Sequence, residues 1–413
     1  MSRYLPLICL ALLHTLVDTS ALLVAPLWPE LRSTFQFGPV GLLIAFIVQS
    51  MPTSVSQAVF GYLRDRRATP YWLWLGPLLA AVFLTAIGVA TNQWVLFALF
   101  VVGGIGVGAF HPEAAVTAGR LFPEHRTRAL SIFMFGGSLG LALGPTLSGI
   151  VVEAGGLFGL IYLMLPIVLL IVVFRWAGRF GDVTEAPVAP SRALSIGQML
   201  EGRAGIALAI LAICSLRLVP NMAMDKVIAF TLEQRKFSPA EIGRVQSLFL
   251  ISASAGMFFM VFLFRSGWEK RFMIVCPAVG IPLLLVLGLE SCPQWLMLTL
   301  LVPTGFVLWG TTPAMVSYSQ QLFPKGAGLA SAITMGLAWG LGGLMQAPIT
   351  AAFSETPAPQ HAFLAFIPCL AFASVGAWFL PSTQRHISAA ETPVRETAQS
   401  EQLPGTLPEP ADA

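Results

Sequence analysis

The chain has 413 residues, 56% of them hydrophobic and 10% charged, with a formal net charge of +3 and a mean hydropathy of +0.78. A soluble domain carries about a quarter of its residues as charged side chains, so this composition excludes one and calls for many lipid-facing helices. No basic arm or aromatic–basic interleaving speaks for nucleic acid, and Cys9, Cys214, Cys276, Cys292 and Cys369 form no CxxC pair, so neither a disulfide framework nor a metal or cofactor site is expected.

At roughly 20 apolar residues per crossing, the sequence predicts twelve spans. They cover about 4–27, 38–60, 71–91, 94–118, 129–152 and 156–175, then 204–227, 240–264, 271–290, 294–317, 327–350 and 361–381. The first begins like a signal peptide, with Arg3 before Leu5–Leu13. His14 and Asp18 interrupt that run and apolar residues continue to Trp28, so it reads as an uncleaved helix. His14 and Asp18 are one turn apart and share a face. They form either a proton site or a structural pin to a neighbouring helix.

The fourth span holds the stretch Gly104–Ala115, GIGVGAFHPEAA. Its glycines allow close helix approach, and His111 and Glu113 are ionisable groups that lipid disfavours. Pro112 cannot donate to the Gly108 carbonyl, so a kinked or partly unwound helix facing a cavity is expected. On a regular helix His111 and Glu113 point about 200° apart, so one is the cavity residue and the other an interhelical contact. The fifth span carries Gly140-x-x-x-Gly144-Pro145-x-x-x-Gly149, a small-residue seam with a proline. In the seventh, Arg217 either binds an anionic substrate in a fork or neutralises Asp18 or Glu113. Asp225 and Lys226 sit near that helix's end, where Lys226 is expected to snorkel to the interface.

The connection over 176–203 splits the chain into an N-terminal half, 1–175, and a C-terminal half, 204–381; residues 382–413 read as a disordered tail. Leu121-Phe122-Pro123, Ala129 and Met134 recur as Leu322-Phe323-Pro324, Ala330 and Met335 at one offset of 201, a faint repeat of the halves. Duplicated halves around a midplane cavity are a transporter architecture. Arginines cluster on the side holding Arg3, Arg64, Arg120, Arg126, Arg128, Arg175, Arg179 and Arg385, so both termini are expected in the cytoplasm.

At this point the residues resemble a known family. Gly61-x-x-x-Asp65-Arg66-Arg67 is similar to the cytoplasmic loop motif of the major facilitator superfamily, though Ala68 and Thr69 stand where a later glycine is usual. The Gly140–Gly149 seam resembles the motif associated with that superfamily's antiporters. Phe110-His111-Pro112-Glu113-Ala114, with His14-x-x-x-Asp18 and the GYLRDRRATPYW loop, resembles the bacterial fosmidomycin-resistance branch. The resemblance implies an all-α bundle of twelve transmembrane helices in two pseudo-symmetric six-helix halves, in a bacterial inner membrane. It implies a proton-coupled exporter of small drug-like or anionic compounds, monomeric and not an enzyme, whose partners are that substrate, protons and lipid. Asp18, Glu113, His14 and His111 are then the expected proton-coupling residues, and Arg217, His111 and Phe110 the substrate-binding ones. Gly61, Asp65, Arg66 and Arg67 would form the gating loop. The alternatives are proton-coupled uptake of an organic anion or metabolite, and a transporter-like sensor or assembly protein that moves nothing.

Overall fold

In the computed structural model the described residues are 4–66, 70–122, 125–178, 195–263 and 267–382, without the side chains of 65–66, 126–127 and 260–263. Of the expected gating loop only Gly61 is fully described; the Asp65 and Arg66 side chains and Arg67 lie outside the described residues, as do the tail beyond 382 and most of the central connection.

All twelve expected spans are helices: α1 (Tyr4–Phe35), α2 (Pro39–Arg64), α3 (Trp72–Val89), α4 (Gln93–Leu121), α5 (Arg128–Gly155), α6 (Leu157–Gly178), α7 (Ala204–Gln234), α8 (Pro239–Phe259), α9 (Glu269–Leu287), α10 (Gln294–Leu322), α11 (Pro324–Ser354) and α12 (His361–Phe379). Several run further than hydropathy suggests. The first continues through a 3-10 turn at Ala25–Leu27 to Phe35, because Trp28 and Leu31 are buried and hold the extra turns in the core. The seventh ends at Gln234, not near 227, which draws Lys226 two turns inside the helix. Local chemistry sets the ends. The Asn92 side chain caps α4 by accepting from the Trp94 and Val95 amides at 3.0 and 3.1 Å. Gln36 and Lys236 take left-handed conformations just after α1 and α7, equivalent exits from the first helix of each half.

Each half is a bundle of six. In the first, α1 packs on α5, and α4 lies between α2 and α3; in the second, α7 packs on α11 and α12, and α8 on α10. The halves meet along two seams, α5 against α8 and α2 against α11. Small residues make both possible. A Cβ at Gly243 would collide with the Pro145 carbonyl and one at Gly149 with that of Pro239, while Gly340 and Gly343 face Met51, Ser54 and Ser50.

Several polar contacts between the halves lie between mid-bundle and the end distal to the first residue of α1. Thr146 Oγ1 is 2.7 Å from Ser247 Oγ, and Gln246 Nε2 donates to the Ala25 carbonyl at 3.1 Å. Arg32 Nη2 meets both Glu233 carboxylate oxygens at 2.9 Å and its Nη1 donates to the Ser354 carbonyl. Arg32 and Glu233 are themselves 201 residues apart, so this ion pair joins equivalent positions across the pseudo-two-fold. The molecule is thus latched shut at its distal end.

Candidate functional site

Three of the expected ionisable residues converge between α1 and α4. His14 Nε2 lies 3.2 Å from Asp18 Oδ2 and 3.2 Å from His111 Nε2, while His111 Nε2 lies 3.2 Å from Asp18 Oδ1. Each imidazole is anchored on its other side by a backbone carbonyl: His14 Nδ1 on Phe133 at 2.8 Å and His111 Nδ1 on Val107 at 2.7 Å. A carbonyl can only accept, so both Nδ1 atoms carry hydrogen and both Nε2 atoms turn toward Asp18.

This arrangement counts protons. Were both imidazoles neutral, two Nε2 lone pairs and a carboxylate would face one another at 3.2 Å with nothing to donate. A shared positive charge, a proton or a small cation, is required to hold the triad together. The donor atoms lie within 4.8 Å of one another, near enough for one small cation to be shared by all three. The triad is reached through His111, whose side chain is 22% exposed against 10% for Asp18 and 3% for His14.

The fifth helix forms the third wall. Besides the Phe133 carbonyl, its Gly136 and Gly140 carbonyls accept from Thr15 at 2.8 Å and Thr19 at 3.3 Å. The His14 ring stacks on that of Phe133, with centroids 4.1 Å apart. Gly140 and Gly144 of the expected seam face α1, whereas Pro145 and Gly149 face α8, so the motif serves two interfaces in turn.

Other expectations need correction. Glu113 is not in the triad. It points away from His111, as the helical angle required, and meets Arg64 of α2 with Oε2 2.8 Å from Nε; both are buried. Its carboxylate faces a permanent cation instead of the imidazoles that Asp18 faces. Pro112 does not unwind the helix, which is continuous over Gln93–Leu121; packing on α2, where Gly61 faces Pro112 and Gly108 meets Ser56, holds it. Phe110 is fully buried against His14 and Phe133, so it packs behind the triad and lines no open cavity in this conformation.

Arg217 does not reach Asp18 or Glu113. Buried inside the second half, it donates to the Leu308 carbonyl, to Thr312 Oγ1 at 3.1 Å and to Met315 Sδ at 3.3 Å. Among the described residues no carboxylate pairs with it, and its Nε has no hydrogen-bond partner. Leu308 and Thr312 are the 201-residue counterparts of Val107 and His111, and Pro313 is the counterpart of Pro112. One slot is therefore used twice, by a titratable triad in the first half and by a fixed guanidinium in the second. Extending the 201 offset to Pro112 and Pro313 reveals this in the sequence. Lys226, expected at the interface, is buried between the halves. Its Nζ is 3.0 Å from Asp225 and lies over the rings of Trp28 and Phe46 at 5.7 and 5.6 Å.

Comparison with known proteins bears on what this arrangement serves. The family model described as Major Facilitator Superfamily matches residues 10–347. The fosmidomycin resistance protein of Escherichia coli (strain K12) is 25% identical over 382 residues, 91% of this chain and 92% of that protein. An uncharacterized MFS-type transporter, YfnC of Bacillus subtilis (strain 168), is 26% identical over 392 residues, 92% of this chain and 93% of the relative. Among solved structures, a bacterial homolog of the human lysosomal transporter Spinster, inward-facing and occupied, superposes with a TM-score of 0.72 at 13% identity, covering 92% of this chain and 96% of that one.

Proposed function

We propose that this chain, which belongs to the Major Facilitator Superfamily, is a proton-coupled exporter of small drug-like or anionic compounds that works by alternating access. The observation that carries the reading is the His14–Asp18–His111 triad, whose three acceptors are placed to hold a shared proton. Proton loss leaves like lone pairs and a negative charge facing one another in a low-dielectric site, where repulsion is strongest. Thr15 and Thr19 tie α1 to α5 through hydroxyls and carbonyls that do not titrate, and the His14 Nδ1–H bond to the Phe133 carbonyl is kept in both protonation states of the ring, so the change falls on the contact between α1 and α4. A proton thereby switches one interhelical contact inside the N-terminal half.

In this reading Asp18 is the proton carrier, His14 and His111 share its proton, and the buried Glu113–Arg64 pair fastens α4 to α2 while α1 moves. Arg217 supplies a fixed positive charge toward an anionic substrate. Placing the arginine-rich end of the bundle in the cytoplasm puts both termini there, in a bacterial inner membrane, and makes the latched distal end the outer one. One chain encloses the whole site, so the monomer is the working unit. The resemblance to a resistance protein makes fosmidomycin the first compound to try.

The test uses purified protein in liposomes with a trapped pH-sensitive dye, an imposed substrate gradient, fosmidomycin and a panel of organic anions and cationic drugs. Substrate-dependent proton movement that disappears in Asp18→Asn is expected. Substrate crossing with no proton signal in the wild type would remove the antiport reading.

A further inference from the structure

We propose that Gly137 is a positioning residue of the proton site: its missing side chain is what lets His14 and Asp18 close on the shared proton. The inference rests on the triad being the coupling site. An ideal Cβ built at Gly137 would lie 2.5 Å from His14 Nε2 and 2.8 Å from Asp18 Oδ2, inside the contact distance of any methyl group. Those two atoms are the ones His14 and Asp18 turn toward each other, at 3.2 Å. The bare α-carbon of Gly137 is thus the wall against which the pair is pressed.

The wall cannot give. Thr15 Oγ1 donates to the Gly136 carbonyl and Thr19 Oγ1 to the Gly140 carbonyl, clamping α1 to α5 on either side of Gly137. The His14 ring is held on the same helix through Phe133. A methyl group at 137 therefore displaces side chains more readily than backbone, and the side chains it meets are His14 and Asp18. The charged and titratable groups around the site are His14 and Asp18 from α1 and His111 from α4; α5 contributes glycine backbone and Phe133. Glu113, paired with Arg64, leaves α4 in another direction.

The sign follows. Pushing His14 and Asp18 off their common donor weakens the hold on the proton, so a higher proton concentration is needed to fill the site. Gly137→Ala moves the half-maximal pH of transport downward by about one unit or more, with fewer protons moved per substrate near neutral pH. Gly155→Ala is the control, since its methyl meets nothing within 4 Å on the same helix, away from the triad. It is expected to keep the wild-type pH profile.

Both variants are measured in the liposome assay beside wild type and Asp18→Asn. A wild type without proton movement would bring down the function reading itself. Proton movement in the wild type, lost in Asp18→Asn, with a Gly137→Ala profile matching wild type or Gly155→Ala would overturn this inference alone. If Gly137→Ala does not fold, the double variant His14→Ala/Gly137→Ala decides: recovery of a monodisperse protein shows that the methyl competes for the His14 ring's space. Failure of the double variant as well shows that position 137 is constrained by backbone packing, and the inference falls.

Discussion

Two buried carboxylates in the N-terminal half have opposite characters, and their partners decide which. Asp18 faces two imidazoles, which gain and lose protons in the physiological range; Glu113 faces a guanidinium, which does not. Deleting one member of a buried pair strands the other charge, at about 3–5 kcal/mol, whereas replacing both by apolar groups is often neutral or better. Glu113→Gln should therefore lower thermal stability sharply, with proton coupling retained in whatever protein folds. Arg64→Met/Glu113→Leu should restore much of the melting temperature. A stable Glu113→Gln protein that moves substrate without protons would return Glu113 to the coupling site.

At the scale of an element, α5 has two functions along its length. Its first half supplies the carbonyls and the bare glycine behind the triad; its second half closes on α8 through Pro145, Thr146 and Gly149, with Glu153 accepting from the Ala240 amide at 3.2 Å. A side chain at Gly149 has no space, because even a Cβ would collide with the Pro239 carbonyl. Gly149→Val should wedge α5 from α8 and part the distal end. In a cysteine-free background carrying Ala25→Cys, buried in the closed form, the thiol should react several-fold faster with a charged reagent. An unchanged rate would mean that α5 and α8 do not control that end.

For the whole molecule the question is how firmly the distal end is latched. The side chains of the Arg32–Glu233 pair are 27% and 37% exposed, and the pair is worth at most about 1 kcal/mol. Lys226 works the other way. Its bond to Asp225 stays within α7 and is kept whether the end is open or closed, so only the contact with Trp28 and Phe46 rewards closure. Cation–π attraction near the 6 Å limit recovers about 0.5–2 kcal/mol, less than the several kcal/mol that burying an ammonium costs. Hydration of Lys226 thus favours opening, which keeps the latch reversible. Lys226→Met should slow labelling of the same Ala25→Cys thiol, about tenfold for each 1.4 kcal/mol; faster labelling would show that the ammonium is a net latch.

Much was legible in the sequence because lipid imposes one rule on every span: about 20 apolar residues with all backbone groups paired internally. That rule located the twelve helices, and the scarcity of intramembrane charge singled out His14, Asp18, His111, Glu113 and Arg217. It could not say which of these meet. Spacing along one helix joined His14 to Asp18 and set His111 apart from Glu113. Whether His111 or Glu113 turned toward Asp18, and that Arg64 waited for the other, depended on how α1, α2 and α4 pack. Helix ends moved for a similar reason, since Trp28 is buried in the core of its own half and Lys226 against the opposite one, and hydropathy sees only the stretch of chain it averages. Gly137 carried no signal of its own, because a glycine matters through what presses against it, and only the tertiary structure brings the triad to that face.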